Sequence, residues 1–357
     1  MTEQPSPSEK KREIGVSTNP VLVRELRGGL VESVHRAAFA IADPTGRLVA
    51  SLGDGAAMVY PRSAIKLIQA LPLIETGAAS AFDLGDQELA LACASHNGEP
   101  EHIAAVAAWL SRIGCREDDL ACGPHVPGNA AAAAALVRAG RQPGRIHNNC
   151  SGKHTGFLSV ARHLGVPVAG YAELDHPVQQ HVMATLGALG GIAPSDLIVG
   201  TDGCGAPNFA LPLRNLATAF ACVADPSALA APRRAAIARL TKAVREQPFF
   251  IAGTGRLCTR IIESGAGVVP KGGAEGVYVA ALPRRGLGLA LKIDDGAKAA
   301  SECLLIGVLT ALGELTDASP LAKQYLDGPI LNTQGRVVGK RTVDLDAIAR
   351  ALPASLG

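Results

Sequence analysis

Three short segments carry residues able to cooperate in acyl transfer: Ser63-Ala-Ile-Lys66, Ser95-His-Asn97 and Lys271-Gly-Gly273. Each is common alone. Together, in this order, they match a serine acyl-transfer site in which lysine replaces histidine as the base. Ser63 and Lys66 stand three apart, a spacing that puts both on one face of a helix. Pro61 suits a helix that begins there. A serine at a helix N-terminus lies near unpaired N–H groups and the positive end of the dipole, which favours an oxyanion. A lysine in the same partly desolvated cleft loses its proton more easily and can act on that serine. Ser95 then suits proton transfer to a leaving group and Asn97 the binding of a substrate amide. Lys271 suits an anionic substrate group, or keeps its neighbours deprotonated. The plainer reading of His96-Asn-Gly-Glu99 is a cap for a helix that Pro100 starts, and both readings can hold together.

A second constellation joins Cys150-Ser-Gly-Lys153-His154 to Asp202-Gly-Cys204. Two thiolates with a nitrogen or carboxylate suit tetrahedral zinc. Residue chemistry alone selects Cys150, Cys204 and His154, with Asp202 as a fourth or neighbouring group. The spacing is not that of a zinc finger, and a pair of free thiols in a tight loop is the competing reading. A nucleophilic Cys150 with His147 or His154 as partner is a further option, but it leaves the serine and lysine segments unexplained. Gly253-Thr-Gly-Arg256 lacks the Gly-Lys-Ser/Thr ending of a phosphate loop. It reads as a turn presenting the Thr254 hydroxyl and the Arg256 guanidinium to an acidic substrate. Asp294 follows a strand and either reaches the cleft or caps the next helix.

Positioning these groups requires a substantial core, and the composition allows one. The 357 residues are 48% hydrophobic and 18% charged, which suits one elaborate globular domain or two intimate ones. With only 3% aromatic residues, that core is built from Ala, Val, Leu and Ile. A formal charge of +2, with no basic stripe interleaved with aromatics, argues against nucleic acid. No apolar run reaches membrane-spanning length, and the charged, proline-containing start is unlike a signal peptide, so a cytoplasmic protein is expected. The eight cysteines then read mostly as small buried hydrophobes rather than disulfides.

Residues 1–17 read as a disordered tail. Strands are expected over 21–26, 30–41 and 48–51, with Asp43-Pro-Thr-Gly46 as a turn. Helices are expected over 64–75, 100–113, 130–139, 155–164, 178–189 and 232–245, and a strand over 197–199. The alanine run from Ala130 reads as a packed helix. Strands Val277–Leu282 and Leu287–Ile293 flank a hairpin turn, and a helix follows over 297–312. This order predicts an α/β (α+β) fold: an antiparallel sheet with strands from both chain ends, helices packed on it, and a helical region inserted at about 62–245.

These residues together resemble the rhizobial-type L-asparaginases, the class 3 or thermolabile family, over nearly the whole chain from about Asn19. The segments carrying the resemblance include Arg62-Ser-Ala-Ile-Lys66, Cys93-Ala-Ser-His-Asn-Gly-Glu99, His147-Asn-Asn-Cys-Ser-Gly-Lys-His154, Thr201-Asp-Gly-Cys204, Gly253-Thr-Gly-Arg256 and Lys271-Gly-Gly-Ala-Glu-Gly276. The resemblance implies a single domain over 18–357 with a fold like serine β-lactamases, penicillin-binding proteins and bacterial glutaminases. It implies two Ser–Lys pairs, Ser63 with Lys66 and Ser95 with Lys271, hydrolysing L-asparagine. It implies zinc held by Cys150, Cys204 and Lys153, displacing the choice of His154 and leaving Asp202 beside the metal. A bound lysine is neutral, as a nearby dication allows. Arg62, His96, Asn97, Asn149, His154, Thr254, Arg256 and Asp294 are the implied substrate contacts, and a homodimer the implied assembly. Two alternatives stay open: a glutaminase or related amidase, and a zinc-dependent amino-acid-binding protein without catalysis.

Overall fold

The computed structural model describes residues 18–356; the expected tail at 1–17 lies outside them. An eight-stranded antiparallel sheet forms the frame. Its N-terminal strands are β1 (Val21–Arg27), β2 (Leu30–Ala42) and β3 (Leu48–Leu52). A smaller sheet holds β4 (Met58–Val59), β5 (Ile198–Thr201) and β6 (Pro207–Pro212). The C-terminal strands of the large sheet are β7 (Val269–Gly272), β8 (Val277–Leu282), β9 (Leu287–Ile293), β10 (Asp327–Leu331) and β11 (Val337–Val343). The order in the large sheet is β10-β11-β1-β2-β9-β8-β7, with β3 also paired to β2. The two ends of the chain meet where β2 pairs with β9 and β1 with β11.

β2 and β9 owe their central place to their composition. The second half of β2 and nearly all of β9 are buried, as continuous apolar strands covered on both faces should be. The helix Leu213–Ala224 lies on this part of the sheet, close enough that a Cβ at Gly288 would come within 2.1 Å of the Ala217 carbonyl oxygen. Only glycine permits that approach. On the other face, the helix Lys298–Ala311 buries an almost unbroken apolar run.

The inserted region is mostly helical but also contains the small sheet. The helix expected over 64–75 is divided: a 3₁₀ turn at Arg62–Ile65 leads into the α-helix Lys66–Glu75. The helix expected over 155–164 spans Ser151–Leu164, so Cys150 sits at its N-cap and Lys153 in its first turn. The periodic apolar pattern starts late there, because Ser151, Gly152 and Lys153 are buried without being apolar. The alanine-rich segment is a helix, Ala130–Arg138, as expected, with residues that are exposed or half-buried and none fully buried. Its high intrinsic helix propensity and the Asn129 side chain, which accepts from the Ala132 N–H, supply local stability. Strands β10 and β11 and the helix Leu213–Ala224 lie beyond the expected elements. The strands are short and mixed in polarity; the helix has a clear amphipathic period, with Leu213, Leu216 and Phe220 buried and Arg214 exposed, which the sequence reading did not pick out. No helix among the described residues is long and apolar enough to cross a membrane.

Candidate active site

The site lies where the inserted helices meet the open edge of the large sheet. Ser63 comes from the 3₁₀ turn and Lys66 from the first residue of the following helix. Ser95 comes from the extended segment after the helix Asp86–Ala92, and Lys271 from β7, the edge strand. Gly273 lets β7 close on the turn: a Cβ there would fall 2.5 Å from the Pro61 carbonyl oxygen. Arg62, just before Ser63, has φ +53°, a left-handed conformation that costs a bulky residue about 1–2 kcal/mol. Two bonds hold it there. Its N–H donates to Asn208 Oδ1 at 3.2 Å, and its Nε donates to Asp202 Oδ1 at 2.6 Å.

Both catalytic-candidate lysines converge on one hydroxyl. Lys66 Nζ lies 3.0 Å and Lys271 Nζ 2.9 Å from Ser95 Oγ. Lys66 also donates to the Ala94 carbonyl at 2.5 Å and reaches the Asn149 carbonyl at 3.5 Å. Lys271 donates to the Gly272 carbonyl at 2.9 Å. Both lysines are buried. Two ammonium groups sharing one hydroxyl in the interior repel each other, and burial together with the Lys66 charge lowers the pKa of Lys271 to about 7. A neutral Lys271 has a lone pair for the Ser95 proton, so Lys66, Ser95 and Lys271 form a path along which a proton can move.

Ser63, Ser95, Asn149, Arg256 and Lys271 line one cavity of about 220 Å³. The Ser63 hydroxyl makes no hydrogen bond among the described residues, so its pairing with Lys66 is by proximity along the turn rather than by a formed bond. The amide N–H of Ser63 and that of Ala274, which lines the same cavity, likewise have no acceptor among the described residues. The Ser95 amide is occupied by the Ile251 carbonyl at 2.9 Å.

The other sequence-derived residues divide into cavity walls and supports. Asn149 and Arg256 reach the cavity. Asn97 stands behind Arg256: its Oδ1 accepts from the guanidinium at 2.8 Å, and its Nδ2 donates to the Thr254 carbonyl at 3.3 Å. Thr254 is held in turn by Glu99, through its N–H at 2.8 Å and its hydroxyl at 2.7 Å. His96 is buried away from the cavity, accepting from the Gly98 N–H and donating from Nε2 to Ser151. Burial, and then the neighbouring His102, hold it well below the usual imidazole range, so it is neutral. His154 is buried against Tyr171, 2.7 Å from the phenol oxygen. Asp294 is exposed and accepts from the Asn19 amide, so the structure does not bring it to the cavity. The sequence reading missed Ala274, Cys258, Tyr278 and Glu302 on the cavity wall. A signal existed for Glu302, an acidic residue within an otherwise apolar helix. None existed for Tyr278, which reads as an ordinary strand residue.

Among the described residues, no three His, Cys, Asp or Glu side chains gather to hold a metal. A zinc site here therefore needs lysine as a donor, and the arrangement fits that requirement. Lys153 Nζ lies 3.0 Å from Cys204 Sγ, and Cys150 and Cys204 are hydrogen-bonded neighbours. All three side chains are buried. The Cys204 hydrogen bond holds Cys150 well below the usual thiol range against the cost of burial, with help from Lys66 and Lys153. Burial works to lower Lys153, but the neighbouring thiols and Asp202 outweigh it and keep its pKa high. Two soft donors and one borderline nitrogen form a donor set that suits zinc. His154, turned to Tyr171, does not join them.

The family model for L-asparaginase II matches residues 23–343. The chain belongs to that family of amidohydrolases, whose substrates are small molecules. No curated protein matches it. Among solved structures, Mglu in its native form is 16% identical, with a TM-score of 0.46 over 85% of this chain and 71% of that one. A β-lactamase from Mycobacterium bovis is 15% identical, with a TM-score of 0.34 over 73% and 88%. A putative β-lactamase from Bacteroides dorei DSM 17855 is 13% identical, with a TM-score of 0.40 over 74% and 86%. All three likenesses are distant.

The lowered pKa of Lys271 gives a signed expectation. Below about pH 7 Lys271 is protonated and cannot accept a proton. The kcat/KM for amide hydrolysis should therefore rise with pH through about 7 and level off above it. A flat profile from pH 5 to 9 would contradict a role for Lys271 as base.

Proposed function

We propose that this amidohydrolase converts L-asparagine to L-aspartate and ammonia, with Ser63 as nucleophile. The observation that carries the reading is the Ser95 hydroxyl held between two buried lysines, in the cavity that also exposes Ser63. The free amides favour Ser63 over Ser95 as the attacking group. The N–H groups of Ser63 and Ala274 are unspent, whereas that of Ser95 is not. Unspent donors on the cavity wall suit the charge that develops on a carbonyl oxygen under attack.

Ser63 Oγ attacks the side-chain amide carbon, and its proton passes to Lys66, which exchanges it through Ser95 with Lys271. The oxyanion rests on the Ser63 and Ala274 amides. Collapse breaks the C–N bond, and the same path returns the proton so that neutral ammonia leaves. Water then attacks the aspartyl ester with a lysine as base, releasing aspartate and restoring the Ser63 hydroxyl.

Cys150, Lys153 and Cys204 would hold zinc, which when bound supplies a fixed charge that ties the start of the helix Ser151–Leu164 to the Asp202–Cys204 loop. That loop holds Arg62 through Asp202, and Asn149 adjoins Cys150. Metal loss should therefore loosen the walls of the cavity. Zinc content near one per chain in the wild type, none in Cys204→Ser, and a Tm lower by about 5 °C after chelation are expected. Wild type without zinc that is fully stable and active would remove the metal from the account.

Ammonia release from L-asparagine, with L-glutamine in parallel, tests the activity. Ser63→Ala should lose at least about 10³-fold in kcat, and L-asparagine should be the better amide. Folded wild type that releases ammonia from neither amide would contradict the asparaginase reading, while equal rates on both would make it a broader amidase.

A further inference from the structure

The wall of the cavity carries charges that the proton path does not use. Arg256, Lys298 and Glu302 line the same space as Ser63 and Ser95. Arg256 spends one guanidinium nitrogen on Asn97 Oδ1 at 2.8 Å, which leaves further donors toward the cavity. Glu302 belongs to the helix Lys298–Ala311, and its side chain is 15% exposed. Among the described residues, its carboxylate accepts no hydrogen bond. Its only ion-pair partner among them is Lys298, at 3.6 Å, beyond hydrogen-bonding distance, with a side chain 64% exposed. Such a loose pair contributes little and is easily exchanged. A carboxylate this enclosed normally has donors around it. Here it faces a polar cavity of about 220 Å³, with room for one small molecule.

We infer that Glu302 and Arg256 form a reader for an amino-acid zwitterion, Glu302 taking the α-ammonium and Arg256 the α-carboxylate. The inference rests on the hydrolase reading for its reaction and extends it to the residues that recognise the substrate's α-carbon groups. The ammonium is a compact cation with three donors, and it replaces Lys298 beside a carboxylate that has acceptors to spare. The α-carboxylate meets a planar guanidinium already oriented by Asn97, which Glu99 and Thr254 hold from behind. Gripping both groups at the α-carbon directs the side-chain amide along the rest of the cavity, toward the two serines. An amide that lacks the ammonium leaves Glu302 facing only Lys298 and loses its orientation. A site with a buried group awaiting a partner discriminates strongly against analogues that lack it.

Succinamate is asparagine without its α-amino group, and succinate stands in the same relation to aspartate. With full-length protein, kcat/KM for L-asparagine should exceed that for succinamate by at least about 100-fold. Glu302→Gln should lower kcat/KM for L-asparagine by at least about 30-fold and narrow the asparagine-to-succinamate ratio toward unity. Calorimetric titration should show wild type binding L-aspartate far more tightly than succinate, and Glu302→Gln should lose that preference. Comparable wild-type turnover of asparagine and succinamate would overturn the inference, as would equal losses on both amides in the variant. Protein that prefers aspartate to succinate through Glu302, yet hydrolyses neither amide, would support the reader while contradicting the hydrolase reading.

Discussion

Two lysine side chains share one serine hydroxyl in the interior of this protein, and much of the surrounding structure follows from that arrangement. Lys66 also bonds to the Ala94 and Asn149 carbonyls and adjoins Cys150. Lys271 has only the Gly272 carbonyl besides Ser95, and its pKa falls to about 7. Burial and the neighbouring charge thus prepare Lys271 to act as a base near neutral pH.

Bringing these lysines together imposes the fold. Lys66 starts a helix of the inserted region, and Lys271 lies on a C-terminal edge strand more than two hundred residues later. The antiparallel sheet makes the meeting possible because its strands come from both chain ends, so that the inserted helices open and close on the same frame. Gly273 then permits edge and turn to touch, and Arg62 links the turn to the thiol-bearing loop through Asp202. The candidate metal cluster and the serine–lysine path thus adjoin, with Lys66 next to Cys150.

The frame was largely legible in the sequence because β2, β8 and β9 are strongly apolar and bounded by clear turns, and because Pro, Gly and capping residues mark the long helices. The chemistry was legible as motifs, and so was the Ser95–Lys271 pair, but the place of Lys66 was not. Spacing along the chain puts Ser63 with Lys66, whereas the formed hydrogen bonds place Ser95 between both lysines. That depends on the path of the segment after Ala92, which no periodicity records. His96 and His154 carry the right chemistry in the right segments, yet burial turns them inward, to Ser151 and Tyr171. Asp294 goes instead to Asn19, 275 residues away in sequence. Glu302 stood out in the sequence only as an acidic residue in a largely apolar helix, and the packing of that helix against the cavity distinguishes it from an ordinary salt-bridged surface residue.

The central claim is that the lysine-flanked Ser95 serves a nucleophile next to it. The most direct test is acid quenching during turnover of L-asparagine, followed by peptide mass spectrometry to locate the aspartyl adduct. The account predicts an added aspartyl mass on the peptide containing Ser63, lost in Ser63→Ala. An adduct on Ser95, or active enzyme that forms none, would contradict it.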